Sequence, residues 1–245
     1  MSDCDIGFGK YFETVRADTE ELRTEVYRLR YQVYCLETHF ENPDDFPDGI
    51  ERDEYDASAQ HYLVRHIDSG QFAATTRLIL PDQRFPGKPF ALERHCSIDS
   101  EHTISETQRA TSAEVSRFCV SKNFKRRAGE SGTLAGISSG QPVPSFSREE
   151  RRAFPDITLA LISCLVRLSR ENNISDWYAV MEPPLIRFLT HLGIYFTVIG
   201  PLVNYHGPRT PCKINLAYML HCVREKDGHV WNMLTNSGKF WESER

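Results

Sequence analysis

In the run Ala113-Glu114-Val115-Ser116-Arg117-Phe118-Cys119-Val120, one carboxylate and one guanidinium stand three positions apart among apolar or small residues. The run has the composition of a buried strand. Burying a charge is costly unless it is paired or used. Glu114 and Arg117 are therefore either a structural ion pair or part of a reacting site. Strict alternation puts Glu114, Ser116, Phe118 and Val120 on one face and Val115, Arg117 and Cys119 on the other. The two charges can meet only across a bulge or a sharp twist. Bulges re-aim side chains beside active sites, so one is predicted here.

Other charges stand where chemistry needs them. Arg77 lies on a second apolar strand, on the face shared by Ala73, Thr75 and Ile79, and is a further candidate for a partly buried charge. Lys122, Lys125, Arg126 and Arg127 follow the Glu114 strand directly and make either a local anion site or a solubilising loop. The acid-rich stretch 39–59 is long for a structureless connection, and such loops are often lids or binding loops. Its carboxylates of interest are Asp53 and Asp56. Arg30 lies near the polar border of the first predicted helix, beside Tyr31 and Tyr34, and reads alone as a solvated charge.

The elements that must position these groups follow from periodicity. Leu22, Val26, Leu29, Val33 and Leu36 predict a helix from Asp18 to about Leu36, with Asp18 and Glu21 as its capping box. Gln60–Ile67 and Phe72–Leu80 predict a hairpin across Asp68-Ser69-Gly70. Phe90 and Leu92 fall in a short strand or turn, and 97–112 reads as polar surface with a short helix. Residues 129–154, rich in Gly, Ser, Pro and charge, predict an insertion or lid. A second long helix spans 156–172, DWYAVM at 176–181 is a strand, and Pro183-Pro184 opens a helix ended by Gly193. Strands are predicted at Tyr195–Ile199 and Ile214–Arg224, then a tail of short helix and coil. The order implies an α/β fold, a mixed sheet with helices on both faces, in one domain over 1–245.

Composition narrows the function. The net charge of −5 argues against a nucleic-acid-binding field. The seven cysteines are scattered with no CxxC pair, so neither a disulfide framework nor a metal site is indicated, and reduced thiols in a cytoplasmic protein are expected. No apolar run approaches the roughly 18 residues of a membrane span, and the first residues do not form a secretory signal.

Four segments, in order, resemble the acyl-homoserine-lactone synthases, N-acyltransferases of the GNAT-like fold: Leu29-Arg30-Tyr31-Gln32-Val33-Tyr34, Asp48-Gly49-Ile50-Glu51-Arg52-Asp53-Glu54-Tyr55-Asp56, Arg77-Leu78-Ile79-Leu80-Pro81 and Glu114-Val115-Ser116-Arg117-Phe118. Later segments are similar to the N-acyl amino acid synthases associated with the PEP-CTERM/exosortase system: Val120-Ser121-Lys122-Asn123-Phe124-Lys125-Arg126-Arg127, Met181-Glu182-Pro183, Leu192-Gly193-Ile194 and Ile199-Gly200-Pro201. The lactone synthases' tryptophan after the first helix is missing, with Phe40 or Phe46 in its region. That departure favours a free amino acid over S-adenosylmethionine as acceptor.

The resemblance implies a long-chain acyl group moving from an acyl carrier protein or coenzyme A thioester to an amine, with no permanently bound cofactor. Glu114 would be the general base, directly or through one water, with Arg117 beside it. Arg30, Tyr34, Asp53, Asp56 and Arg77 would surround the acceptor. A backbone N–H in Phe118–Val120 would hold the oxyanion, and Cys119 is the alternative, covalent nucleophile. Lys122, Lys125, Arg126 and Arg127 would meet the donor phosphate or an acidic carrier protein. Phe118, Trp177, Val180 and Phe196 would line an acyl slot. The implied state is a monomer or weak dimer. The rival readings are a lactone autoinducer synthase and a non-catalytic acyl-thioester-binding protein.

Overall fold

The computed structural model describes residues 8–124, 154–204 and 207–241. The strands are β1 (Phe12–Arg16), β2 (Ala59–His66), β3 (Phe72–Ile79), β4 (Ser112–Val120), β5 (Asp176–Met181), β6 (Thr197–Val198), β7 (Val203–Asn204) and β8 (Pro208–Asn215). They hydrogen-bond in the order β1-β2-β3-β4-β5-β8-β6, with β7 on β8. β4 runs parallel to β5, while β1 on β2 and β5 on β8 are antiparallel, so the sheet is mixed. The hairpin between β2 and β3 falls where the turn residues place it, and Gly70 supplies the left-handed φ of +69° that the turn requires.

The chain divides into two compact units. The first comprises the chain through Asp53, His61–Arg77 and Arg117–Cys164; the second comprises Glu54–Gln60, Leu78–Ser116 and the chain from Leu165. In the first, Phe12, Val64, Ala73, Ala74, Val120, Phe124, Ile157 and Leu161 form one apolar cluster. Val26, Leu29, Val33, Tyr34, Leu63 and Cys119 form another. In the second, Tyr55, Ile79, Phe90, Leu92, Ile104, Tyr178 and Ile199 pack together.

The first helix, α1 (Glu20–Tyr31), starts two residues later than predicted. Thr19, not Asp18, caps it, its hydroxyl accepting from the Leu22 N–H at 3.3 Å. Beyond Tyr31 the chain widens into a π-helical turn, Gln32–Glu37, where a plain α-helix was predicted. β1 was not foreseen: the sequence reading assigned no element ahead of Asp18. The segment predicted as strand or turn around Phe90 contains helix α2 (Ala91–His95), and α3 (Glu106–Arg109) follows in the polar stretch. Helix α4 (Phe154–Glu171) and helix α5 (Pro183–His191) match the sequence reading.

Residues 214–224 are a correction. Only Ile214 and Asn215 belong to β8; the rest opens helix α6 (Leu216–Lys226). Asn215 caps it by accepting from the Tyr218 N–H at 3.1 Å. Leu216, Met219, Leu220 and Val223 are its buried residues, a spacing of three and four. Helix α7 (Gly228–Thr235) follows, and the Asp227 carboxylate caps it. No helix among the described residues is long and apolar enough to cross a membrane.

Candidate active site

In the first unit, the charged side chains converge on a residue that the sequence reading passed over. Gly49, at φ +70°, turns the acidic stretch back toward α1. The Glu51 N–H then donates to the Tyr27 carbonyl at 3.2 Å. The Glu51 side chain is 1% exposed. Arg30 Nε donates to Glu51 Oε2 at 2.5 Å, and the Arg30 side chain is 0% exposed. Arg30 is thus not the solvated charge predicted. Its guanidinium stacks over Tyr27, 5.4 Å from the ring centre.

Arg117 reaches the same carboxylate. Its Nη2 donates to Glu51 Oε1 at 2.9 Å, and its Nε lies 3.2 Å from both oxygens. The same Nη2 is 3.4 Å from Asp53 Oδ2 and 3.5 Å from Glu41 Oε1. Asp53 Oδ1 accepts from Arg77 Nη1 at 2.6 Å, and Arg77 is 1% exposed. The result is a chain of charges: Arg30, Glu51, Arg117, Asp53, Arg77. Burial alone would push the Glu51 carboxyl upward, but Arg30 and Arg117 outweigh it and hold its pKa at about 2. Burial likewise opposes the Arg117 cation, yet Glu51 holds that guanidinium well above its ordinary range. The chain meets solvent through Asp53, at 28%, and Arg117, at 13%.

Backbone geometry explains how Arg117 gets there. It adopts φ +47° inside β4, the left-handed region that side-chain-bearing residues avoid. That conformation costs roughly 1–2 kcal/mol, breaks the alternation of the strand and sends the guanidinium to Glu51. The sequence reading predicted a bulge across which Glu114 and Arg117 would meet; the break falls at Arg117, which turns to Glu51 instead. The β4 register on β5 covers Ser112–Val115 against Asp176–Ala179, although β5 continues to Met181 along β8. β4 is buried at both ends but half-buried from Val115 to Phe118. The π-helical turn Gln32–Glu37 carries Tyr34, whose ring lies 5.2 Å from the Arg117 guanidinium carbon. π-Turns of this kind often mark functional positions.

Glu114 belongs to the second unit. It is 4% exposed. Its Oε2 accepts from the Leu92 N–H at 3.0 Å, so it satisfies a free backbone donor in the first turn of α2. After burial, its charge is the next influence raising the Cys96 thiol pKa. Asp56 is also in this unit, half-buried in the turn Glu54–Ser58.

The remaining candidates separate. Phe118 packs against the Phe12–Val64 cluster, which includes Val120. Cys119 is 0% exposed within the Val26–Leu63 cluster, so an acyl thioester has no way to its sulfur without opening that core. Trp177 is core, its indole N–H donating to Ser169 Oγ at 2.8 Å. Val180 packs beside Tyr178 in the second unit's cluster, and Phe196 is half-buried. Lys122 is exposed, and its backbone N–H is held by the Glu37 carboxylate at 2.8 Å. Lys125, Arg126, Arg127 and the insertion at 129–153 lie outside the described residues. Among the described residues, no group of three or more His, Cys, Asp or Glu side chains is arranged to hold a metal ion.

Glu51, Glu41 and Glu37 were not singled out from the sequence. One signal pointed to Glu51: it follows Ile50, the one aliphatic residue between His39 and Asp56. An aliphatic residue in an acid-rich loop marks where that loop docks.

Residues 29–135 match the family model described as an acetyltransferase (GNAT) domain. No curated protein matches the sequence. Solved structures match over most of the chain. TofI, in a ternary complex with an inhibitor and MTA, has a TM-score of 0.58 at 16% identity, covering 90% of this chain and 99% of its own. BjaI, a CoA-dependent acyl-homoserine lactone synthase solved with SAM and isopentyl-CoA, has a TM-score of 0.55 at 16% identity, covering 89% of each chain. FeeM, an N-acyl amino acid synthase from uncultured soil microbes, has a TM-score of 0.52 at 14% identity, covering 86% of this chain and 93% of its own. The fold is therefore α/β and GNAT-like, with the mixed central sheet of the acyl-homoserine lactone synthase structures.

Proposed function

We propose that this protein is an N-acyltransferase that moves a long-chain acyl group from an acyl carrier protein or coenzyme A thioester to the amine of an amino acid. The observation that carries the reading is the buried charge chain Arg30–Glu51–Arg117–Asp53–Arg77, built on a strained strand residue and reaching solvent at Asp53 and Arg117. Strain of this kind persists where the surroundings over-determine it, and it clusters at active sites. The GNAT-domain match over residues 29–135 and the fold shared with FeeM support the same chemistry.

An ammonium cannot attack a thioester, so a proton has to leave the acceptor. Asp53 holds the ammonium, and the Arg117 guanidinium faces the acceptor's carboxylate. The sequence motif assigns removal of the proton to Glu114, directly or through one water. The amine nitrogen then bonds to the carbonyl carbon. The resulting oxyanion is held by a backbone N–H of the Phe118–Val120 segment, a donor worth about 3 kcal/mol in the transition state. On collapse the C–S bond breaks, the amide forms and the thiol leaves with a proton. The donor's phosphate or carrier protein is met by the basic segment that begins at Lys122.

Mass spectrometry of lipids from cells overproducing the protein tests this, with Glu114→Gln as control. New N-acylated amino acids, absent with the variant, are the expected result. An acyl lactone would assign the protein to the autoinducer synthases instead. An unchanged lipid profile, with acyl thioester still bound, would leave a binding protein.

A further inference from the structure

In the second unit, Lys213 stands in β8 opposite Tyr178 of β5 and Thr197 of β6. It is half-buried, and its Nζ lies 3.2 Å from His102 Nδ1. A lysine ammonium only donates, so Nδ1 is the acceptor and the imidazole carries its proton on Nε2. Nε2 in turn lies 3.6 Å from Glu101 Oε1. An amine, a base within hydrogen-bond reach of it and a carboxylate beyond the base form the arrangement of an activated nucleophile. Glu101 is 77% exposed, so water screens its pull on the imidazole, and His102 is the member that matters. Lys226 makes the contrast: its Nζ donates to the Thr190 carbonyl at 3.0 Å, and a peptide carbonyl cannot carry a proton away.

Backbone bonds hold the base in place. The His102 N–H donates to the Asp99 carbonyl at 2.8 Å, closing the turn Ser100–His102. The Asp99 N–H donates to the Ile199 carbonyl at 2.9 Å, and the Ile199 N–H donates to the Pro211 carbonyl of β8 at 3.0 Å. Gly200 permits this close approach, because a Cβ there would collide with the Ser97 carbonyl oxygen. The turn that carries His102 is thus tied to the strand that carries Lys213, two residues from the tie. Holding reacting groups in place in this way lowers the entropy lost on reaction.

We infer that Lys213 is a self-acylation site, with an acyl thioester as the acyl source and His102 as the proton acceptor. The choice of thioester rests on the N-acyltransferase reading; the site itself uses neither Glu114 nor the charge chain around Glu51. The ammonium passes a proton to His102 Nδ1, and the free amine attacks the thioester carbonyl. The Nζ–C bond forms and the C–S bond breaks. The imidazolium returns its proton to the leaving sulfur, the nitrogen gives a second proton to water, and Nζ ends as a neutral amide. The strand loses one positive charge in the process.

The test incubates the full chain with octanoyl-coenzyme A and follows each lysine by peptide mass spectrometry. Lys226 and Lys239, both exposed, are the internal references. Lys213 acylates at least about tenfold faster than either. In His102→Asn and His102→Gln the amide oxygen can still accept from the ammonium but cannot take its proton. The Lys213 rate falls to that of the references in both variants, while the melting temperature stays within a few degrees. Glu114→Gln leaves the Lys213 rate within twofold. A Lys213 rate no higher than the references overturns the inference, as does a rate unchanged by both His102 variants. Loss of Lys213 acylation in Glu114→Gln also overturns it, because the acyl group would then come through the proposed base and not through His102. Wild-type protein that acylates Lys213 but no amino acid defeats the N-acyltransferase reading alone. Wild-type protein that makes N-acyl amino acids while Lys213 stays unmodified defeats the self-acylation site alone.

Discussion

Arg30 and Glu51 form an ion pair shut away from solvent on both sides, Nε to Oε2 at 2.5 Å with side chains 0% and 1% exposed. Glu51 titrates near 2 in the folded protein against an ordinary 4.5. A depressed carboxylate stabilises the fold fully above its unfolded pKa, and that stability is lost as pH falls toward the folded one. The size is about 3 kcal/mol, lost between roughly pH 5 and 2. Urea midpoints across that range are expected to fall steeply in the wild type and much less in Glu51→Gln. Identical slopes would mean that Glu51 carries none of this dependence.

At neutral pH, Glu51→Gln is expected to be the most damaging single change in the first unit. It removes the one carboxylate that Arg30 and Arg117 share and loosens Arg117. Breaking a buried pair from one side costs about 3–5 kcal/mol. Chemical denaturation at pH 7 measures it directly. A loss under about 1 kcal/mol would show that water reaches the pair.

Asp53 differs because it is 28% exposed and bonded to Arg77 and Arg117 at the solvent end of the chain. Asp53→Asn keeps an oxygen for Arg77, so folding stability is expected to stay within about 1 kcal/mol. Acceptor binding is not expected to survive as well: an ammonium loses its counter-charge, and the acceptor KM rises roughly tenfold, about 1.4 kcal/mol. Steady-state kinetics with donor and acceptor varied separately distinguish this from a general loss of fold.

The parts of this arrangement that the sequence disclosed share one property: they carry their own local signal. Arg77 and Glu114 are charges in apolar runs, and β2, β3, α4 and α5 are marked by period and by turn residues. Arg30 had no such signal, because it is buried by a segment distant in sequence, and Glu51 had only the neighbouring Ile50. Arg30 looks solvated on a helical wheel until the acidic loop folds over it. Residues 214–224 misled for the opposite reason: a strand and a helix share one apolar run, and only the Asn215 cap divides them.

Cys119 sits two residues beyond Arg117, yet it lies at 0% exposure among Val26, Leu29 and Leu63. A covalent route through it would need an acyl group inside that core. Cys119→Ala is therefore expected to retain turnover within about threefold while losing roughly 1 kcal/mol of stability to the small cavity. Intact-protein mass spectrometry after incubation with acyl thioester should show no adduct on the wild type. An acylated enzyme, abolished by Cys119→Ala, would replace direct attack with a two-step transfer.

Glu114 is the harder case, because its burial has a structural use as well as the proposed chemical one. Its Oε2 accepts the Leu92 N–H at the start of α2, and removing that acceptor would leave a buried donor unpaired. Glu114→Gln separates the two uses: the amide oxygen still accepts from Leu92, whereas the amide cannot take a proton from an amine. If Glu114 is the base, the variant keeps its melting temperature within a few degrees and its donor affinity, while turnover falls by about 10²–10⁴. Glu114→Ala loses both functions, adding about 1–3 kcal/mol of instability. Should the glutamine variant turn over at the wild-type rate, Glu114 is only the cap of α2, and the proton must leave through Asp53, the exposed carboxylate of the charge chain.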